Sequence, residues 1–275
     1  MSPESRSEEP RAEETERESA GYRRATAVFP LYTVILIAFL VAVFLCQLAA
    51  GGEEAKDLGR INVSVLIAGF VKQLFQHGQY WRILTGAALH GGFAHLFFNC
   101  YALYVLGKLI ETLSNRAHLA IVFLFSAICG GILSLVFVPQ SSVGASGGII
   151  GFLGYLTIYG YKRRKLLPEG FLKNMLFNIG FIAVMGISIN YLGRDSENVP
   201  MVDNFGHLGG LLFGALYGLI QIPSDLYKDP RETGSAAGIF GAASLGIFIL
   251  TAIFSILLLL GIVVIPFPEI PELIK

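Results

Sequence analysis

Charge is what this chain has little of. Of its 275 residues only 15% are Asp, Glu, Lys or Arg, against about a quarter in soluble domains. With 54% hydrophobic residues and a mean hydropathy of +0.64, that shortage excludes an ordinary water-soluble fold. Acidic and basic residues balance at 20 each, so no excess of positive charge supports binding to nucleic acid. Cysteine is scarce as well. Cys46, Cys100 and Cys129 lie in three separate apolar runs without CxxC or other ligand spacing. They read as packed thiols, and no disulfide framework follows. No His-Glu-x-x-His motif occurs. A zinc peptidase built on His90, His95 and His207 would lack that motif and a matching carboxylate, so no metal is expected.

What the chain does have is apolar sequence of membrane length. Crossing about 30 Å of hydrocarbon takes about 20 helical residues. Apolar runs fall at 27–48, 91–110, 117–138, 146–161, 174–192, 203–222 and 239–266. The fold expected is an all-α polytopic membrane protein of seven spans, six in a core and one appended at the C-terminal side. The appended span is charge-free and closed by Pro266, Pro268 and Pro271. Residues 1–25, dense in Glu, Arg and Ser, cannot bury a core and are expected to be a disordered tail. They are not a signal peptide, because the first apolar run begins only near Ala27 and lacks a cleavage site. The core then covers 26–222, a linker 223–238, and the last span with a short tail 239–275. Inside the 50–90 connection, 61–75 is apolar but short and broken by Lys72 and Gln73. Such a run suits an interfacial or re-entrant piece. Trp81 and Arg82 follow as an amphipathic pair for the headgroup zone.

Lysine and arginine placement orients the spans. With the N-terminus cytoplasmic, the inner segments hold eleven: Arg23, Arg24, Lys108, Arg116, Lys162, Arg163, Arg164, Lys165, Lys173, Lys228 and Arg231. The outer segments hold six: Lys56, Arg60, Lys72, Arg82, Arg194 and Lys275. The N-terminus is therefore expected inside. The second, fourth and sixth spans then all run inward, and His95, Asn99, Ser146 and His207 fall at one depth near the outer face. Ionisable groups inside a bilayer are costly and mark function.

The spacing favours convergence of these four residues. His95 and Asn99 are four apart and share a helix face. His207, Gly210 and Gly214 share another, and Gly147, Gly151 and Gly154 make a small-residue stripe on the fourth span. Two such stripes let helix backbones approach closely in lipid, which would bring the His207 imidazole to the Ser146 hydroxyl. A serine hydroxyl needs such a base to become a nucleophile. Asp203, one turn before His207, is the only carboxylate near that depth on its helix. A dyad with an imidazole oriented by packing is expected, rather than a triad. His90 lies about half a turn off the face of Asn99 and is an accessory candidate that caps the span or shapes the loop. His77, in the long loop, and His118, in an inner connection, receive no role.

These pieces together resemble the rhomboid intramembrane serine proteases. They are Trp81-Arg82, His90-x4-His95-x3-Asn99, Gly144-Ala145-Ser146-Gly147 and Gly206-His207-x2-Gly210-x3-Gly214, spread over about 27–222 in family order. The resemblance implies a Ser146–His207 dyad that cleaves membrane-anchored proteins in or near their transmembrane segments without a cofactor. It also implies an oxyanion hole built with His95 and Asn99. The partners expected are transmembrane protein substrates and the lipid bilayer. One position departs from the pattern. The residue four after the serine is often aromatic and stacks on the histidine in that family, and here it is Ile150. Two readings compete with the protease. A channel or transporter lacks an internal repeat of the usual kind. A catalytically silent rhomboid-like protein that binds membrane clients typically loses the serine or the histidine, and both are present here.

Overall fold

A computed structural model describes residues 28–50, 60–193 and 201–266. The expected N-terminal tail, residues 51–59 and the end of the chain past 266 lie outside the described residues. The described chain forms ten helices. They are α1 (Leu31–Ala49), α2 (Arg60–Ala68), α3 (Lys72–Gln76), α4 (Arg82–Ala88) and α5 (Phe93–Leu113), then α6 (Arg116–Phe137), α7 (Ser146–Lys162), α8 (Phe171–Gly193), α9 (Asn204–Gln221) and α10 (Ser235–Leu259). The only strand-like pairing among the described residues is one antiparallel bridge between Phe70 and Ser142.

Each apolar run of the sequence is a helix, but the count of seven spans needs qualification. By length and composition five helices suffice to cross a bilayer: α1, α5, α6, α8 and α10. The two that carry Ser146 and His207 are shorter, with 17 residues in α7 and 18 in α9, and both are rich in glycine. In this polytopic membrane fold α7 is the inner helix, while α9 buries its glycine face and leaves Leu212, Leu216 and Ile220 exposed. Phe152, Tyr155 and Leu156 of α7 are fully buried, packed between α6 and α9 on one side and α5 and α8 on the other. At the periphery, α8 buries only Met175, Gly186 and Gly193.

Helix ends are satisfied by side chains from elsewhere in the chain, as buried ends must be. Asn115 caps α6 by accepting from the amides of Ala117 and His118. Glu111 of α5 sits under the first turn of α1, where the helix dipole favours an anion, and accepts from Thr33 N at 2.8 Å and Thr33 Oγ1 at 2.7 Å. Lys162 donates to the carbonyls of Leu219 and Ile222 at the end of α9. Arg163 donates to those of Leu226 and Lys228 in the following linker. Of these two cations read from sequence as topology signals, Lys162 is thus also a C-terminal cap, and Arg163 ties down the linker.

The short segment 61–75 is two helices, α2 and α3, neither long enough to span. Arg82 departs from its expected place at the headgroups. It is 1% exposed and its guanidinium donates to Gly69 O, Leu66 O and Gln79 Oε1. A guanidinium carries five donors, and a loop that doubles back offers enough acceptors to bury it. Trp81 lies under that guanidinium at 4.6 Å and meets Phe254 of α10 edge-on at 5.3 Å.

Candidate active site

Three helices begin at one end of the bundle: α5 with His95 and Asn99, α7 with Ser146, and α9 with His207. Their register is set by glycine. A Cβ built on Gly210 would lie 2.0 Å from Gly147 O, and one on Gly214 would lie 1.9 Å from Gly151 O. Gly151 and Gly154 are equally tight, against Ser126 Oγ and Leu211 O. Gly147 is looser on its own Cβ side, 3.5 Å from Gly206 O; its carbonyl makes the contact with Gly210. At the top of this seam His207 Nε2 stands 2.8 Å from Ser146 Oγ.

The imidazole has no third partner. His207 Nδ1 is buried and reaches no hydrogen-bond partner among the described residues. Asp203 faces away from it. Its Oδ1 accepts from Gly206 N at 2.7 Å, capping α9, and its Oδ2 accepts from Ser134 Oγ and from Ser142 Oγ. On its other side His207 shares an open apolar hollow with Ile150, Ile179, Ile182 and Leu211.

The loop before Ser146 is pinned from outside. Phe70 and Ser142 exchange two backbone hydrogen bonds at 3.1 Å, and Gly144 N donates to Gly86 O at 2.9 Å. Gly144 has φ +125°, and a Cβ there would strike His95 Cε1 at 2.7 Å. Only glycine combines that backbone with so close a ring. His95 therefore lies against the loop two residues before the serine, with Asn99 Nδ2 3.8 Å from the same point. Gly91 N donates to His95 Nδ1 at 3.3 Å. That bond leaves the ring proton on Nε2, the nitrogen facing Gly144. Asn99 Nδ2 donates to His95 O at 3.0 Å, so one of its N–H groups remains free.

His90 does not enter the site. It is fully buried, edge-on to His95 with centroids 5.2 Å apart. Burial first, and the neighbouring His95 second, pull its pKa down to about 3, so the ring is neutral. Its backbone is clamped by Gln47 of α1, which accepts from His90 N at 2.9 Å and donates to His90 O at 3.1 Å. His77 bonds only to its own helix, and His118 is buried against the Tyr217 hydroxyl at 2.8 Å. No cluster of His, Cys, Asp and Glu fit to hold a metal occurs among the described residues.

The Rhomboid domain matches residues 77–224. The chain belongs to the rhomboid family. It is 34% identical over 187 residues to the rhomboid protease GluP of Bacillus subtilis, covering 67% of this chain and 34% of GluP. It is 32% identical over 157 residues to the mitochondrial RHOMBOID-like protein 6 of Arabidopsis thaliana, covering 55% of this chain and 47% of that protein. The putative rhomboid protease YdcA of Bacillus subtilis is 31% identical over 143 residues, 51% of this chain and 68% of YdcA. The chain thus spans a third to a half of the first two relatives, and the domain match at 77–224 contains every site residue named from the sequence.

Sequence reasoning about this rhomboid chain missed Gln47, Lys72, Ser134 and Ser142. Gln47 and Ser134 each stand in the last turns of an otherwise apolar helix. A polar side chain there, at the level where Ser146 begins its own helix, was the available signal.

Proposed function

We propose that this chain is an intramembrane serine endopeptidase that cleaves single-span membrane proteins in or near their transmembrane segments. Ser146 is the nucleophile and His207 the general base and acid. What supports this reading is the 2.8 Å approach of Ser146 Oγ to His207 Nε2, with both residues in the cleft. In the first step Oγ attacks the substrate carbonyl while its proton passes to His207 Nε2. Negative charge on the carbonyl oxygen is met by the free amides at the start of α7 and by the N–H groups of His95 Nε2 and Asn99 Nδ2. The C–N bond then breaks, His207 returns the proton to the leaving amine, and Ser146 holds an acyl ester. Water deprotonated by His207 hydrolyses the ester and restores the serine. With no carboxylate on Nδ1, the histidine works as half of a dyad.

The positive residues orient the bundle with its N-terminal side cytoplasmic, so this centre opens toward the external face. The test is labelling by a serine-directed fluorophosphonate, together with cleavage of a single-span substrate in liposomes. Ser146→Ala abolishes both, and His207→Ala lowers turnover by at least ~10³-fold. Labelling that survives His207→Ala removes the base from the mechanism. Clients bound but uncut by the wild type would mark a silent, client-binding rhomboid instead.

A further inference from the structure

Much of the wall of the cleft that opens on Ser146 is small: Gly86, Ala87, Gly130 and Gly131 among others. One part of that wall is polar and is not used by the Ser146–His207 pair. Ser134, Ser142 and Asp203 line it. Both hydroxyls donate to Asp203 Oδ2, Ser142 at 2.7 Å, and the Ser142 oxygen in turn accepts from Lys72 Nζ. Lys72 is 4% exposed, its ammonium 4.6 Å from the centroid of the Phe70 ring. A lysine behind the cleft wall and a carboxylate in it therefore oppose each other across one serine hydroxyl, and their charges cancel.

Capping α9 does not require this pair. Asn or Ser at position 203 would accept from Gly206 N as well, with no cation buried opposite. Burial pushes the Lys72 ammonium down to about 8, against the pull of Asp203, so the pair is kept at an energetic cost. A charged side chain entering a cleft whose own charges are already paired would be desolvated without a counter-ion.

We propose that Lys72 and Asp203 together decide the charge of the substrate residue that acylates Ser146: paired, they admit a small uncharged side chain and exclude acidic and basic ones. Removing one partner leaves the other unopposed and inverts the preference, since discrimination comes as much from the mismatch as from the match. The inference rests on Ser146 being the nucleophile, and the experiment separates the two.

The full chain in liposomes at pH 6.5, where Lys72 keeps its proton, is given four single-span reporters. They differ only in the residue before the scissile bond: Ala, Ser, Asp or Lys. The wild type cuts the Ala and Ser reporters and discriminates against Asp and Lys. Asp203→Asn raises the Asp-to-Ala ratio by at least about tenfold and leaves Lys excluded. Lys72→Met raises the Lys-to-Ala ratio to a similar degree. The double variant is neutral again and returns to the wild-type pattern. If Asp203→Asn does not accumulate, Asp203→Ser carries the same expectation. Single variants that cut the four reporters in wild-type proportions overturn the proposal, as does a double variant that keeps a charge preference. Failure of the wild type to take the fluorophosphonate or to cut any reporter sinks the protease reading instead.

Discussion

Ile150 is the residue at which this chain departs from the pattern it resembles. It is 8% exposed and shares with His207 the wall of an open apolar hollow. An aromatic side chain there would gain an imidazole contact worth about 1 kcal/mol. Overpacking a filled site costs a similar amount or more. The hollow decides between them, because the added ring has open space to enter. Ile150→Phe is therefore expected to keep kcat/KM within about tenfold of wild type, measured by cleavage of one reporter in liposomes. Complete inactivation would mean that the ring cannot lie beside the histidine. That Ser146 and His207 would meet was legible, since a bilayer leaves few polar positions unexplained, and the two side chains stand 2.8 Å apart. Arg82 was not legible. Its place follows from three acceptors presented by a folded-back loop, two of them backbone carbonyls, and no pattern of residue types announces those.

At the scale of elements, the seam between α7 and α9 fixes the distance between Ser146 and His207. The stripes Gly147, Gly151, Gly154 and Gly210, Gly214 were readable as small-residue spacing. Which glycine is tight was not, because that depends on how the two helices are offset along their axes. Gly210 stands against the carbonyl of Gly147, the residue next to Ser146, at 2.0 Å from a built Cβ. Alanine there forces the helices apart by roughly an ångström, and a shift of that size at a reacting pair costs about 10²-fold in rate. Gly210→Ala is expected to slow cleavage and fluorophosphonate labelling to that degree. Gly180→Ala in α8, where a Cβ meets nothing within 4 Å, should leave both unchanged. Equal activity in the two variants would show that the seam does not set the geometry. The same logic explains why α2 and α3 were read only as an interfacial or re-entrant piece. Their role, with that of α4, lies in the pairing of Phe70 with Ser142 and of Gly86 with Gly144, between positions far apart in the chain.

For the whole molecule, the open matter is what α10 contributes. From sequence it is an appendage without chemistry. In the fold it packs along α6 and α1 and reaches α2 and α4, with Gly241 so close to α6 that a Cβ would lie 2.4 Å from Ala117 Cα. Its clearest link to the site is Phe254, edge-on to Trp81. Trp81 directly precedes α4, whose Gly86 anchors the loop before Ser146. The tenth helix thus braces the loop structure that positions Ser146, through one aromatic pair among its contacts. An edge-to-face pair is worth about 0.5–1.5 kcal/mol beyond its buried area. In a double-mutant cycle of Trp81→Ala and Phe254→Ala, read by thermal unfolding in detergent, the two losses should fall short of additivity by about that amount. The rate of fluorophosphonate labelling should fall in both single variants and little further in the double one. Strict additivity in stability, with labelling untouched by Phe254→Ala, would return α10 to the status of a bystander.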